Sequence, residues 1–161
     1  MINSFKNLFI FDMEKIRLMI RKILTEELKP VVIYSAVVIE KHEDIEKIKK
    51  LIKKYVPINE GWRSPHMFHM TIGQGKFPES LYLRGDLNKE VTLTIISIGI
   101  SGNAIALGTS GYYSKNDIPH ITLAFQTTPA DSKEIKNWEP IDNLSVTGII
   151  REIGENNVVI K

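Results

Sequence analysis

An α+β fold is predicted by three features: helical periodicity confined to the first third of the sequence, β-branched and alternating apolar runs through the rest, and a composition typical of folded domains. The chain has 161 residues, of which 43% are hydrophobic and 25% charged. These values lie near the globular average and far from disordered, collagen-like or coiled-coil chains. Such a length suits one domain, or two small lobes sharing a core.

Near the start, Leu8 to Phe11 is apolar, but Asp12, Glu14, Lys15 and Arg17 interrupt it well short of the roughly 18 residues that a membrane span needs. No small-residue cleavage site comes after it, so a cytoplasmic, soluble protein is expected. Asp12 is placed to cap a helix whose apolar positions Ile16, Met19, Ile20, Ile23 and Leu24 form one stripe ending before Pro30. That helix is expected to pack on something, and residues 1–30 to form an N-terminal strand/helix extension. Val31 to Ile39 is an almost unbroken apolar, β-branched run, as in a strand buried on both faces. Ile45, Ile48, Leu51, Ile52 and Tyr55 give a second helical stripe, with Lys49, Lys50, Lys53 and Lys54 on a solvated outer side.

Pro57 to Pro65 carries turn signals together with Trp62 and Arg63. Strands are predicted over Phe68–Ile72, Glu90–Ile100, Ala104–Thr109, Ile118–Phe125 and Leu144–Ile153, with Ser101-Gly102-Asn103 as a tight hairpin turn. Asp131 to Trp138 is expected as one short helix and Val158 to Ile160 as a last strand.

Composition also excludes chemistry. Without a single cysteine, disulfides, cysteine-ligated zinc, iron–sulfur clusters and thiol nucleophiles are ruled out. Twenty-one basic against nineteen acidic side chains leave a formal charge of +2, too balanced for wholesale nucleic-acid binding, so any anion site has to be local.

One motif occurs twice. His69-Met70-Thr71-Ile72 recurs as His120-Ile121-Thr122-Leu123, each inside a predicted strand. With a side-chain period of two, histidine and threonine share one face while Met70, Ile72, Ile121 and Leu123 share the other. Burying the apolar face fixes the polar pair toward a cleft. An imidazole with an ordinary pKa of about 6.5 works as base or acid near neutrality, so two across a cleft can perform both transfers. The threonine hydroxyls are neutral donors for a phosphoryl oxygen. A zinc site built from His66, His69 and His120 would need convergent ligands, and neither a helical His-x-x-x-His pair nor a carboxylate cluster accompanies them. His66 reads as a loop or packing residue and His42 as a solvent-exposed one.

These residues resemble the signature of the two-histidine (2H) phosphoesterase superfamily, two His-x-Thr/Ser-x motifs, which includes RNA 2′,3′-cyclic phosphodiesterases and bacterial proteins named 2′-5′ RNA ligases. The resemblance spans about Tyr34 to Glu152. From Gly73 through Asn116-Asp117-Ile118-Pro119 the chain looks most like the cyclic phosphodiesterase domain of fungal and plant tRNA ligases. The motif histidines lie 51 positions apart, closer than in many members, which implies trimmed loops and a more open groove.

The resemblance implies a single domain over 1–161 with two pseudo-symmetric lobes of antiparallel sheet, outer helices and a central groove. It also implies metal-independent hydrolysis of a cyclic phosphodiester with His69, His120, Thr71 and Thr122 as catalytic residues, the histidine roles left open. Tyr113, Lys115, Trp62, Arg63 and Phe125 are candidate substrate contacts, by stacking or by charge. Phe125 lies five residues past His120, on the other face unless the strand bulges. The expected substrates are RNA ends or nucleotides bearing a 2′,3′-cyclic phosphate. Alternatives are 3′,5′-linked cyclic oligonucleotide signals, which some phage members degrade, and a non-catalytic RNA- or nucleotide-binding module. No cofactor, no metal, no membrane and a monomer are expected.

Overall fold

The β-branched runs become six strands: β1 (Tyr34–Val38), β2 (His69–Gln74), β3 (Glu90–Ile100), β4 (Ala104–Ser110), β5 (His120–Phe125) and β6 (Trp138–Ile153). They pair antiparallel in the order β1-β2-β5-β4-β3-β6, and β6 pairs again with β1, closing the sheet into a barrel. This computed structural model describes residues 13–22, 30–56 and 61–160. The chain divides into two compact units, Met1–Val31 and Val32–Lys161.

The barrel overturns the expected α+β architecture of two lobes about a groove: the second unit is mostly sheet, with few helices, and it is one closed body. The reason lies in β6. Its predicted part, Leu144–Ile153, pairs with β1 from Val38↔Ile149 to Tyr34↔Ile153 and with β3 from Glu90↔Ile149 to Ile95↔Leu144. The strand also begins earlier, at Trp138, where it continues along β3 from Gly99↔Trp138 to Ser97↔Pro140. A single 16-residue strand therefore joins the two ends of the sheet and leaves no edge to separate lobes.

One apolar face of the barrel supplies the core. Val37, Met70, Ile72, Leu93, Ile95, Ile105, Leu107, Ile121, Leu123 and Ile150 are all fully buried in one cluster, joined by Ile48 of helix α2 (His42–Tyr55). As predicted, Ile45, Leu51, Ile52 and Tyr55 pack on that cluster while the four lysines stay exposed or nearly so. Asp44 is buried in the first turn of α2, where its carboxylate accepts from Thr147 N (2.8 Å) and Lys47 Nζ (2.6 Å) and so ties the helix to β6. Burial on both faces of β1 also agrees with the sequence, since Ser35 through Val38 are all buried.

Other expectations change. The segment expected as a helix over Asp131–Trp138 is instead a 3-10 turn, Pro129–Glu134, followed by the start of β6. The turn starts where Thr128 and Asp131 form a reciprocal capping box around Pro129. Val158–Ile160 forms only an isolated bridge, Val159 with Ile153. A short helix, α3 (Glu79–Leu83), was not foreseen.

In the first unit, helix α1 covers residues 13–22. Ile16, Met19 and Ile20 of its stripe are exposed, at 48%, 66% and 49%, so the expected packing of that stripe is not seen there. Asp12, Ile23, Leu24 and the run Leu8–Phe11 lie outside the described residues. Among the described residues no helix is long and apolar enough to cross a membrane.

Candidate active site

Both motifs lie on adjacent strands. β2 and β5 pair at Met70↔Ile121, both fully buried. Extending that antiparallel register by one residue each way sets Thr71 beside His120 and His69 beside Thr122. All four polar side chains leave the core and line a cavity of about 860 Å³, a volume suited to a small-molecule ligand.

Each motif strand carries a β-bulge at the same place. Ser35↔Gly73 is followed by Ala36↔Thr71, so Ile72 is the extra residue of β2. Ile105↔Ala124 is followed by Ala106↔Thr122, so Leu123 is the extra residue of β5. The fourth residue of each motif is thus the bulged one, which reverses the facing of the residues after it. Gln74 and Phe125, each five residues past its histidine, consequently line the cavity with the motifs.

The first motif is sparsely held. His69 Nδ1 lies 3.3 Å from Met67 O, long for such a bond, and the ring stacks at 5.1 Å on Tyr34, whose hydroxyl donates to Asn157 Oδ1 (2.9 Å). Among the described residues no hydrogen bond reaches His69 Nε2 or Thr71 Oγ1. The second motif is bound on every side. His120 Nδ1 donates to Ile118 O at 2.7 Å, its Nε2 lies 2.9 Å from Ser132 Oγ, and Thr122 Oγ1 lies 2.9 Å from the same oxygen. Ser132 Oγ in turn reaches Pro129 O at 2.8 Å. Trp138 backs the His120 ring at 5.9 Å.

Burial pushes both imidazoles below their ordinary pKa. For His69 the charge of His120 adds to that push and the Met67 carbonyl opposes it. For His120 the Ile118 carbonyl opposes burial, and the nearby Lys133 ammonium adds to it.

The Arg and Lys side chains of the cavity wall give it positive charge. Arg63, Lys133 and three histidines line it, and no carboxylate is among its described lining residues. Against an overall charge of only +2, these side chains gather positive charge locally. Arg63 is placed there by an antiparallel bridge to Phe125, with Arg63 N donating to Phe125 O (2.8 Å) and Phe125 N to Arg63 O (2.9 Å). Its guanidinium sits 5.3 Å over the Phe125 ring and donates to Gln126 O and Thr127 O.

Three candidate contacts are not part of this wall. Trp62 packs against the barrel core, Tyr113 is 49% exposed away from the cavity lining, and Lys115 lies across Gly73. His66 is exposed and does line the cavity, although it belongs to no strand. His42 opens α2 and is exposed. Sequence reasoning missed Tyr34, Lys133 and above all Ser132. The run Thr128-Pro129-Ala130-Asp131 signals a capped turn, but nothing in it says where Ser132 points. Among the described residues no group of three histidine or carboxylate side chains is arranged to hold a metal ion.

The chain matches no family model and no curated protein. Among solved structures it is similar to that of TT0787 of Thermus thermophilus, at 16% identity and a TM-score of 0.47, over 81% of this chain and 95% of that one.

Proposed function

We propose that the protein is a metal-independent hydrolase of cyclic phosphodiesters, acting on 2′,3′-cyclic phosphate at RNA ends or on nucleotides and resembling the 2H phosphoesterases. One observation carries this reading: two His-Thr pairs from adjacent bulged strands line one cavity whose other charged lining residues are cationic. A phosphodiester anion fits that wall, and a cyclic one offers a strained bond to open.

His69 is the base. Its Nδ1 donates to the Met67 carbonyl, which leaves Nε2 as the lone-pair nitrogen. The His120 charge also helps hold the His69 pKa below its ordinary value. Water attacks phosphorus and passes a proton to His69 Nε2. The bond from phosphorus to one ribose oxygen breaks, and that oxygen takes the proton from His120 Nε2, leaving a nucleoside phosphomonoester. Thr71 and Thr122 hold phosphoryl oxygens as charge grows on them. The reading carries with it a monomeric, cytoplasmic enzyme without a cofactor.

The test is a substrate panel with EDTA present: 2′,3′-cyclic mononucleotides, RNA with a cyclic-phosphate end, and 3′,5′-linked cyclic dinucleotides. Hydrolysis of the first two is expected. Turnover of the dinucleotides alone would reassign the substrate to cyclic oligonucleotide signals, and tight binding without product would make the protein a binding module.

A further inference from the structure

We propose that the Ser132 hydroxyl occupies the seat of a substrate phosphoryl oxygen at the second motif and yields it when a phosphate ligand binds. This rests on the cavity being a phosphate site, and it adds the position of one oxygen and the residue that guards it.

The donors and acceptors around the serine lead there. The Ile118 carbonyl can only accept, so Nδ1 of His120 carries a proton and Nε2 is the atom that meets a ligand. The Pro129 carbonyl also only accepts, and it lies 2.8 Å from Ser132 Oγ. Once the serine gives its single proton to Pro129 O, it presents two lone pairs to its remaining neighbours, His120 Nε2 and Thr122 Oγ1, each at 2.9 Å. When His120 carries its second proton, as the acid of the proposed reaction must, Ser132 Oγ is to the motif an oxygen that accepts from both a histidine and a threonine, which is what a phosphoryl oxygen does.

Only the second motif is filled in this way; the reactive atoms of the first have no such partner among the described residues. A phosphate held by both motifs cannot share His120 Nε2 and Thr122 Oγ1 with the serine. Ser132 is 2% exposed and lines the cavity. Its hydroxyl hangs on a single heavy-atom torsion, so one rotamer change vacates the seat. Removing the hydroxyl leaves the seat open from the start.

The experiment titrates wild type and Ser132→Ala with inorganic phosphate and with adenosine 2′-monophosphate. Affinity is read by calorimetry, and the His69 and His120 ring nitrogens are followed by NMR. Ser132→Ala is expected to bind both probes about fivefold more tightly, the worth of one hydrogen bond that no longer competes. In wild type the probes should move the His120 Nε2 resonance. Equal or weaker binding by a folded Ser132→Ala overturns the proposal and leaves Ser132 as a positioning partner of His120. No binding by either protein overturns it as well. Should the variant not fold, wild type decides: bound probe with an unmoved His120 Nε2 resonance refutes the seat, and a moved one supports it. A chain that hydrolyses no cyclic phosphate yet binds the probes more tightly as Ser132→Ala refutes the phosphodiesterase and supports the seat.

Discussion

His69-Met70-Thr71-Ile72 and His120-Ile121-Thr122-Leu123 are near copies in sequence, and the barrel treats their backbones alike. Each lies on a strand whose fourth motif residue is the bulged one, and each sends its apolar residues to the core. Their surroundings differ. The first imidazole leans on the Tyr34 ring, holds Met67 O by one long hydrogen bond and leaves Nε2 open. The second is enclosed by Ile118, Ser132, Thr122 and Trp138. Two equal motifs thus become an open half and a furnished half, and in the proposed reaction the neighbours, not the motifs, set which proton each histidine handles.

The largest effect should come from deleting either half. His69→Ala and His120→Ala are each expected to lower turnover of a cyclic nucleotide by about 10² or more, as loss of one acid–base group does, while His66→Ala stays within about twofold. The double variant should fall little further than the worse single one, because two groups acting in one proton circuit are not additive. A loss confined to one histidine would break the comparison at its root, since the other motif would then be scaffold alone.

Packing behind the motifs gives the next test. Gly108 pairs with His120, and a Cβ there would collide with Ser97 Oγ and come within 3.2 Å of the Trp138 ring, which backs the furnished half. Gly73, beside the open half, would meet only the side-chain carbons of Lys115, the nearest at 3.1 Å. Gly108→Ala is therefore expected to cost about 1–3 kcal/mol in urea unfolding, the usual range for overpacking. Gly73→Ala should cost less, because the lysine chain can swing aside. Equal costs would show that the two walls are equally rigid.

Much of this was legible in the sequence. Strand identity came from β-branched runs, and period-two facing put each histidine with its threonine, away from Met70, Ile72, Ile121 and Leu123. Beyond the second motif a counted offset of five puts Phe125 on the core face, and the bulge that the sequence left open brings it to the cavity. Closure of the barrel was hidden because Leu144–Ile153 reads as a strand without saying that it pairs with both β1 and β3, and the early start of β6 was hidden because its first part shows no alternation: Glu139, Pro140, Asp142 and Asn143 are all exposed. The loop residues Tyr113, Lys115 and Trp62 had suitable chemistry, but composition carries no direction. Ser132 is ten residues from Thr122 and meets it only because the 3-10 turn folds back on β5.

The smallest effect, on pH, separates the halves most finely. Both histidines have their pKa lowered by burial, so the pH profile of kcat/KM, which reports the free enzyme, should peak on the acid side of 6.5. Its acid limb belongs to the base His69, which must be neutral, and its alkaline limb to the acid His120, which must be charged. Lys133 acts on the second alone: its ammonium opposes a proton on His120. Lys133→Gln should accordingly raise the alkaline limb and leave the acid limb in place. Stability carries the same sign. A histidine whose folded pKa lies below its unfolded value binds protons more readily when unfolded, so stability is full above about 6.5 and is lost as pH falls toward the folded pKa. With the cation gone, His120 has a smaller gap to lose, so Lys133→Gln should resist mild acid slightly better than wild type. An acid limb that moves together with the alkaline one would mean that the lysine sees both imidazoles, and the division between the open and the furnished half would fail at its most sensitive point.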